Sequence, residues 1–107
     1  MPSMPSGGGP SYANYAQAVK SIYEKNWSPP DETSRDDALV KVQIVIAKDG
    51  TILSSRIIGR SGEPGVDASV EATLRRVTKV PAFPEGAKEI KRTYTIGFNL
   101  RAKRGIG

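Results

Sequence analysis

The stretch "LVKVQIVIAKDGTILSSRIIGRSG", residues 39–62, decides how the chain folds. Val40, Val42, Ile44 and Ile46 fall on one side of a strand running from about Leu39 to Ala47, with Lys41 and Gln43 on the other. That alternation belongs to a sheet with one buried face and one wet face. Asp49-Gly50 suits the two left-handed positions of a type I′ turn between antiparallel strands. Counting outward from it pairs Lys48 with Thr51, Ile46 with Leu53, Ile44 with Ser55 and Val42 with Ile57. Apolar then meets apolar except at Ser55, which specifies the register.

Helical patterns lie on either side of this hairpin. Tyr12, Tyr15, Ala16, Val19, Ile22 and Tyr23 recur at three- and four-residue spacing, with Gln17, Lys20, Glu24 and Lys25 opposite. Ser11 is placed to cap the start, and Pro29-Pro30 forbid continuation. Trp27 continues the apolar stripe, where it is either a lid on the core or an anchor for a partner. After "GRSGEPG", Val66 to Val80 reads as a second helix with Val66, Val70, Leu74 and Val77 as its buried stripe. Asp67 falls near its start, and Arg75, Arg76 and Lys79 near its end, as the helix dipole favours. Pro81 stops it, and "PAFP" leads on in extended form with Phe83 against the core. The last strand runs from about Ile90 to Leu100, with Ile90, Tyr94, Ile96, Phe98 and Leu100 on one face. Lys91, Thr93, Thr95, Gly97 and Asn99 occupy the other.

The predicted architecture is therefore α+β: a three-stranded antiparallel sheet with two helices packed on one face, in the order α-β-β-α-β. Order 2-1-3 within the sheet is preferred over the last strand lying beside the second, and in both cases the last strand is at an edge. At 107 residues the chain is one domain with tails. Residues 1–11 read as a flexible linker or a remnant, residues 12–100 as the domain, and residues 101–107 as a basic flexible tail. "MPSMPSGGGP" has neither a basic start nor an apolar segment, so it is not read as a secretory signal; the chain is expected to be cytoplasmic or a piece of something longer.

Composition narrows the chemistry. With no cysteine there are no disulfides or thiolate sites, and with no histidine the commonest general base and metal ligand is missing. An enzyme would need Ser or Thr beside Lys, or carboxylates assembled by the fold, and no pair stands at a diagnostic spacing. Adjacent carboxylates such as Asp36-Asp37 point apart, and the glycine triplet lacks the strand and lysine of a phosphate loop, so no metal, cofactor or nucleotide is expected. The net charge of +5 resides in Lys88 to Gly107, which hold six basic residues and one acid. A basic end suits phosphates, acidic lipid or an acidic protein surface, or is simply solvated. Nucleic-acid binding is the alternative function, but a sheet that reads single strands presents aromatics on its open face. Here the open-face positions are Lys41, Gln43, Arg56, Thr93 and Thr95.

Taken in order, "YANYAQAVKSIYEKNW", "VKVQIVIAKDGTI", "GRSGEPGVDASVEATLRRV", "VPAFP" and "YTIGFNL" resemble the C-terminal domain of the TonB and TolA energy transducers over residues 12–100. The resemblance implies a periplasmic domain whose parent is anchored in the inner membrane, beside ion-gradient-driven motor proteins, and reaches outer-membrane partners. It implies no enzymatic activity. It also implies that a short extended segment of an outer-membrane receptor or envelope protein, like a TonB box, adds as a strand along the last strand. The Tyr-Pro motif of TonB and the cysteine pair of some TolA domains are absent, which leaves the branch open.

On this reading the partner-binding edge is Lys91, Arg92, Thr93, Tyr94, Thr95, Ile96, Gly97, Phe98 and Asn99, with Asp49 and Gly50 as the structural turn. The residues themselves fit strand addition, which needs a row of unpaired backbone groups and little obstruction. Thr93, Thr95, Gly97 and Asn99 are small or polar; Gly97 permits close backbone approach or marks a bend. Tyr94, Ile96 and Phe98 point to the core and position the edge. The surrounding cations steer an acidic segment and oppose wrong pairing. Two open edges also allow a strand-exchanged homodimer.

Overall fold

The first helical pattern is realised as α1, Tyr12–Lys25, with Tyr15, Val19 and Tyr23 buried along one stripe. The computed structural model describes residues 12–30 and 37–104. The expected linker with its Ser11 cap, Asp36 of the acidic connector, and residues 105–107 lie outside the described residues. The elements that follow are β1 (Leu39–Ala47), β2 (Ile52–Gly59), α2 (Pro64–Arg76), β3 (Lys91–Asn99) and α3 (Leu100–Arg104). The three strands form one antiparallel sheet in the order β2-β1-β3, and both long helices cover the face that Val40, Val42, Ile44 and Ile46 present. Those four side chains are fully buried, as a central strand under two helices requires. Trp27 belongs to the core: its ring stands edge-on to Phe98 at 5.2 Å, and its indole N–H donates to Ser69 Oγ at 2.8 Å. With its donor satisfied inside, it is a lid and not an exposed anchor.

The turn differs from a type I′ hairpin. Gly50 has φ +94°, whereas no non-glycine among the described residues has positive φ, so Asp49 does not take the left-handed position that type I′ demands. Gly50 N–H donates to the Ala47 carbonyl and Ala47 N–H to the Thr51 carbonyl, both at 2.8 Å. Lys48-Asp49-Gly50 is thus a three-residue loop whose glycine supplies the left-handed step. Asp49 accepts the Thr51 N–H at 2.9 Å through Oδ1, and that bond holds its carboxyl below the usual range. The longer loop changes the pairing beside it. Ile46 faces Ile52 instead of Leu53, and a register shift next to Val45 leaves Leu53 54% exposed. Ile44–Ser55 and Val42–Ile57 pair as expected, before a second shift next to Lys41 leaves Ile58 47% exposed.

Helix α2 ends at Arg76, short of the expected Val80, and Val77 is already extended at φ −91°, ψ 101°. Pro81 disfavours helix at the residue before it, and the β-branched Val77, Thr78 and Val80 are at ease in extended form. The extended segment also finds partners that a helix would forfeit: Ile52 N–H donates to the Thr78 carbonyl at 3.1 Å, and Val80 N–H to the Gly50 carbonyl at 2.9 Å. Val66, Val70, Leu74 and Val77 are buried as the pattern predicts. Asp67 does not serve the helix amides; its buried Oδ1 accepts from both the amide and the hydroxyl of Ser61, each at 2.9 Å, and so fastens the preceding turn to α2.

Two expectations for the last strand change. Ile90 does not join the inner face: it is 77% exposed, and β3 begins one residue later. Its carbonyl instead accepts the Lys48 N–H at 2.9 Å. Leu100 is buried, but it opens α3 where the sequence suggests a tail from residue 101. Asn99 Oδ1 accepts the Ala102 N–H at 3.1 Å and caps this short helix.

Two stability outcomes follow from these contacts. A Cβ on Gly50 would sit 1.9 Å from the Val80 carbonyl oxygen, whereas one on Gly62, at a similar φ of +91°, would meet nothing within 4 Å. Gly62→Ala is therefore expected to cost about 1 kcal/mol through backbone strain alone, and Gly50→Ala at least about 2 kcal/mol. Equal urea midpoints for the two variants would show that the close approach carries no energy. Burial raises the phenols of Tyr15 and Tyr23 to about 12. Their neutral forms are favoured in the fold, so this contribution is complete below about pH 10 and is lost as pH rises from there through about 12. In an alkaline titration, late tyrosinate absorbance should appear together with loss of far-ultraviolet dichroism; full ionisation near pH 10 with the fold intact would contradict the assignment.

Candidate functional site

The two edges of the sheet are built differently. β2 meets β1 through two register shifts, and the start of β2 is covered by the segment after α2, through the Thr51–Lys79 bridge and the Ile52–Thr78 hydrogen bond. β3 pairs with β1 over nine consecutive residues, from Leu39–Asn99 to Ala47–Lys91, with no shift. Its outer row of backbone groups is therefore regular, the form that accepts another strand.

Each predicted edge residue can be placed on this strand. Lys91, Thr93, Thr95 and Asn99 are exposed, Gly97 is half-buried, and Ile96 and Phe98 are buried against the helices. Register runs through Gly97 without a break, opposite Lys41, so the glycine is not a bulge. The Asn99 carboxamide is occupied in capping α3. Tyr94 is half-buried with its ring 6.2 Å from that of Tyr15, and its hydroxyl is buried without a hydrogen-bond partner. Asp49 and Gly50 belong to the hairpin loop beside the start of β3, where Ala47 pairs with Lys91, and act through the fold alone.

Arg92 holds a cluster that the sequence pattern does not reveal. Its guanidinium lies 3.7 Å above the Tyr12 ring and pairs with Glu89 at 3.0 Å, while the Tyr12 hydroxyl donates to Glu89 Oε1 at 2.8 Å. The Tyr12 hydrogen bond, then the neighbouring guanidinium, hold the Glu89 carboxyl below its usual range. Tyr12 also packs edge-on to Phe83 at 5.9 Å. The beginning of α1 is thereby clamped to the beginning of β3, across 77 residues of sequence. Tyr12 reads in the sequence only as the first residue of an apolar stripe, and nothing local marks Glu89 as its partner.

Farther along β3, a cleft of about 170 Å³ runs beside the strand. Ala16, Gln17, Val19 and Lys20 of α1 form one wall, and Tyr94 to Gly97 form the other. Helix α1 thus flanks the open edge without sealing it, and places one cation on its rim. The sequence reading missed Gln17 and Lys20 because they belong to the polar side of α1, and only the packing angle brings that side to the strand. Among the described residues there is no group of potential metal ligands, and no helix is long and apolar enough to cross a membrane.

Comparison with known proteins agrees with this architecture. No curated protein matches the sequence significantly. A solved structure, the solution NMR structure of TolAIII bound to a peptide derived from the N-terminus of TolB, superposes with a TM-score of 0.56 at 19% identity, covering 92% of this chain and 80% of that one. At that identity it shows a shared fold. The family model for the TonB C terminal matches residues 12–100, from the first residue of α1 to the first of α3. The chain belongs to the TonB C-terminal family, a class of protein-interaction domains of energy transducers.

Proposed function

We propose that this domain works in the periplasm as the receiving end of an energy transducer, taking an extended segment of an outer-membrane or envelope partner as an added strand along β3. The parent protein would be held in the inner membrane, where motor proteins driven by an ion gradient supply the energy for outer-membrane transport or envelope integrity. The observation that carries this reading is the unbroken register of β3 beside the interrupted register of β2. An added strand gains affinity from backbone hydrogen bonds and specificity from alternate side chains. On the helix side those side chains enter the cleft between α1 and β3, with Lys20 as the cation on its rim. Such charge acts on encounter rate more than on final affinity. The Tyr12–Glu89–Arg92 clamp joins the first residue of the domain to the proposed docking strand, so that load entering before Tyr12 reaches β3 without passing through the hairpin. Binding of a peptide by TolAIII, a protein of the same fold, supports the reading.

In a titration of the labelled domain with peptides from outer-membrane partners, amide shifts are expected at Lys91 to Asn99 and at the α1 residues lining the cleft. The association rate should fall several-fold between low and physiological salt. Repeating the titration at two domain concentrations separates peptide binding from self-pairing of the same edge. Shifts confined to the hairpin loop or to α2 would remove β3 from the function.

A further inference from the structure

The outer face of the sheet, opposite the helices, carries a surface that the strand-addition reading does not use. None of the three strands contains an acidic residue, and all three place cations on this face: Lys41 in β1, Arg56 in β2 and Lys91 in β3, each exposed. Lys41 stands between two glycines, Gly59 on one neighbouring strand and Gly97 on the other; its own stem lies over Gly59, and the Leu39 side chain reaches the space above Gly97. Arg56 donates across to Gln43 Oε1 at 3.2 Å, lying along the sheet, and the next places are taken by Thr95, Thr93 and Ser54. No acidic side chain of the three strands interrupts the face.

It is also apolar at its perimeter. Leu39 is 41% exposed on β1, and the two register shifts of β2 turn Leu53 and Ile58 out of the core to 54% and 47%. A regular hairpin register would bury Leu53 against Ile46; the irregularities instead leave both apolar residues exposed on β2, the edge strand that also carries Arg56. We propose that this face docks on a bilayer containing anionic phospholipid. Lysine and arginine reach the phosphate plane on long stems while leucine and isoleucine enter the boundary below it. Without aromatic side chains the face offers no stacking platform for nucleic acid. Each cation near an anionic surface is worth about fivefold in partition, so three of them with a few apolar side chains give weak, salt-sensitive binding suited to a tethered domain.

The test is co-sedimentation of the 107-residue chain with vesicles of phosphatidylcholine alone and with about one-third phosphatidylglycerol. Anionic vesicles should bind at least about tenfold better at low salt, and the Lys41→Glu, Arg56→Glu double variant should lose at least that factor. The control is Lys25→Glu on α1 with Arg75→Glu on α2, which changes net charge equally on the far side of the sheet and should retain binding within about threefold. Matching circular dichroism establishes that each variant is folded. Equal loss in both double variants would reduce the effect to net charge and overturn the proposal. Binding of a soluble acidic polypeptide without binding of anionic vesicles would also overturn it, and would assign the face to an acidic protein.

Discussion

The contact on which the rest of the structure depends is the approach of Gly50 to Val80. No side chain fits between them, because even a Cβ would fall 1.9 Å from the Val80 carbonyl oxygen. The backbones therefore meet directly, and the hairpin loop becomes an anchor for the chain that follows α2. Val80 N–H donates to Gly50, Phe83 N–H to Lys48, and Lys48 N–H to Ile90. Three successive points of the 77–90 segment are thus fixed to one loop of three residues. The segment cannot relax away from the sheet, since its backbone groups would lose these partners at a cost of about 1 kcal/mol or more each.

The same fastening explains how β3 begins where it does. Phe83, held by Lys48, lies edge-on to Tyr15 at 5.4 Å and to Tyr12 at 5.9 Å, and Tyr12 in turn supports Arg92. The loop, the segment after α2 and the start of α1 meet at one end of the sheet and set β3 in a straight register against β1. At the other edge the longer loop introduces a shift into β2, and the segment after α2 covers its first residues. One loop thus leaves one edge regular and makes the other irregular. An irregular, partly covered edge resists unwanted pairing, which leaves β3 as the edge proposed for strand addition.

The shifts of β2 have a second effect. By turning Leu53 and Ile58 outward they give up apolar burial of roughly 1–2 kcal/mol at each position. Both residues are left exposed on the edge strand that also carries Arg56. The outer face shares Lys91 with the β3 edge, while Lys41 and Arg56 stand on the other two strands, so the two proposed surfaces overlap at one residue.

Much of this was legible in the sequence because it rests on period. The two-residue alternation of β1 and β3 and the three- to four-residue recurrence in α1 and α2 fix which side of each element is buried, and with them the α+β class and the element order. The strand order β2-β1-β3 was also the one preferred. The proposed edge was placed on β3 from its position in that order. What the alternation does not encode is how a loop closes, where a helix yields to extended chain, or which distant side chains meet. Asp49-Gly50 fits two kinds of hairpin, and the choice fell to the Val80 carbonyl beside Gly50. The apolar stripe of α2 runs on through Val77 to Val80, but the chain there is extended because Gly50 and Ile52 offer it hydrogen bonds. Tyr12, Glu89 and Arg92 share no local pattern, and the exposure of Leu53 and Ile58 follows from two register shifts in β2, of which only the one at Leu53 adjoins the loop. Sequence by itself determined the faces, because burial follows periodicity; tertiary structure decided the register, the helix end, the clamp and the outer surface, because each depends on a backbone or side-chain partner remote in the chain.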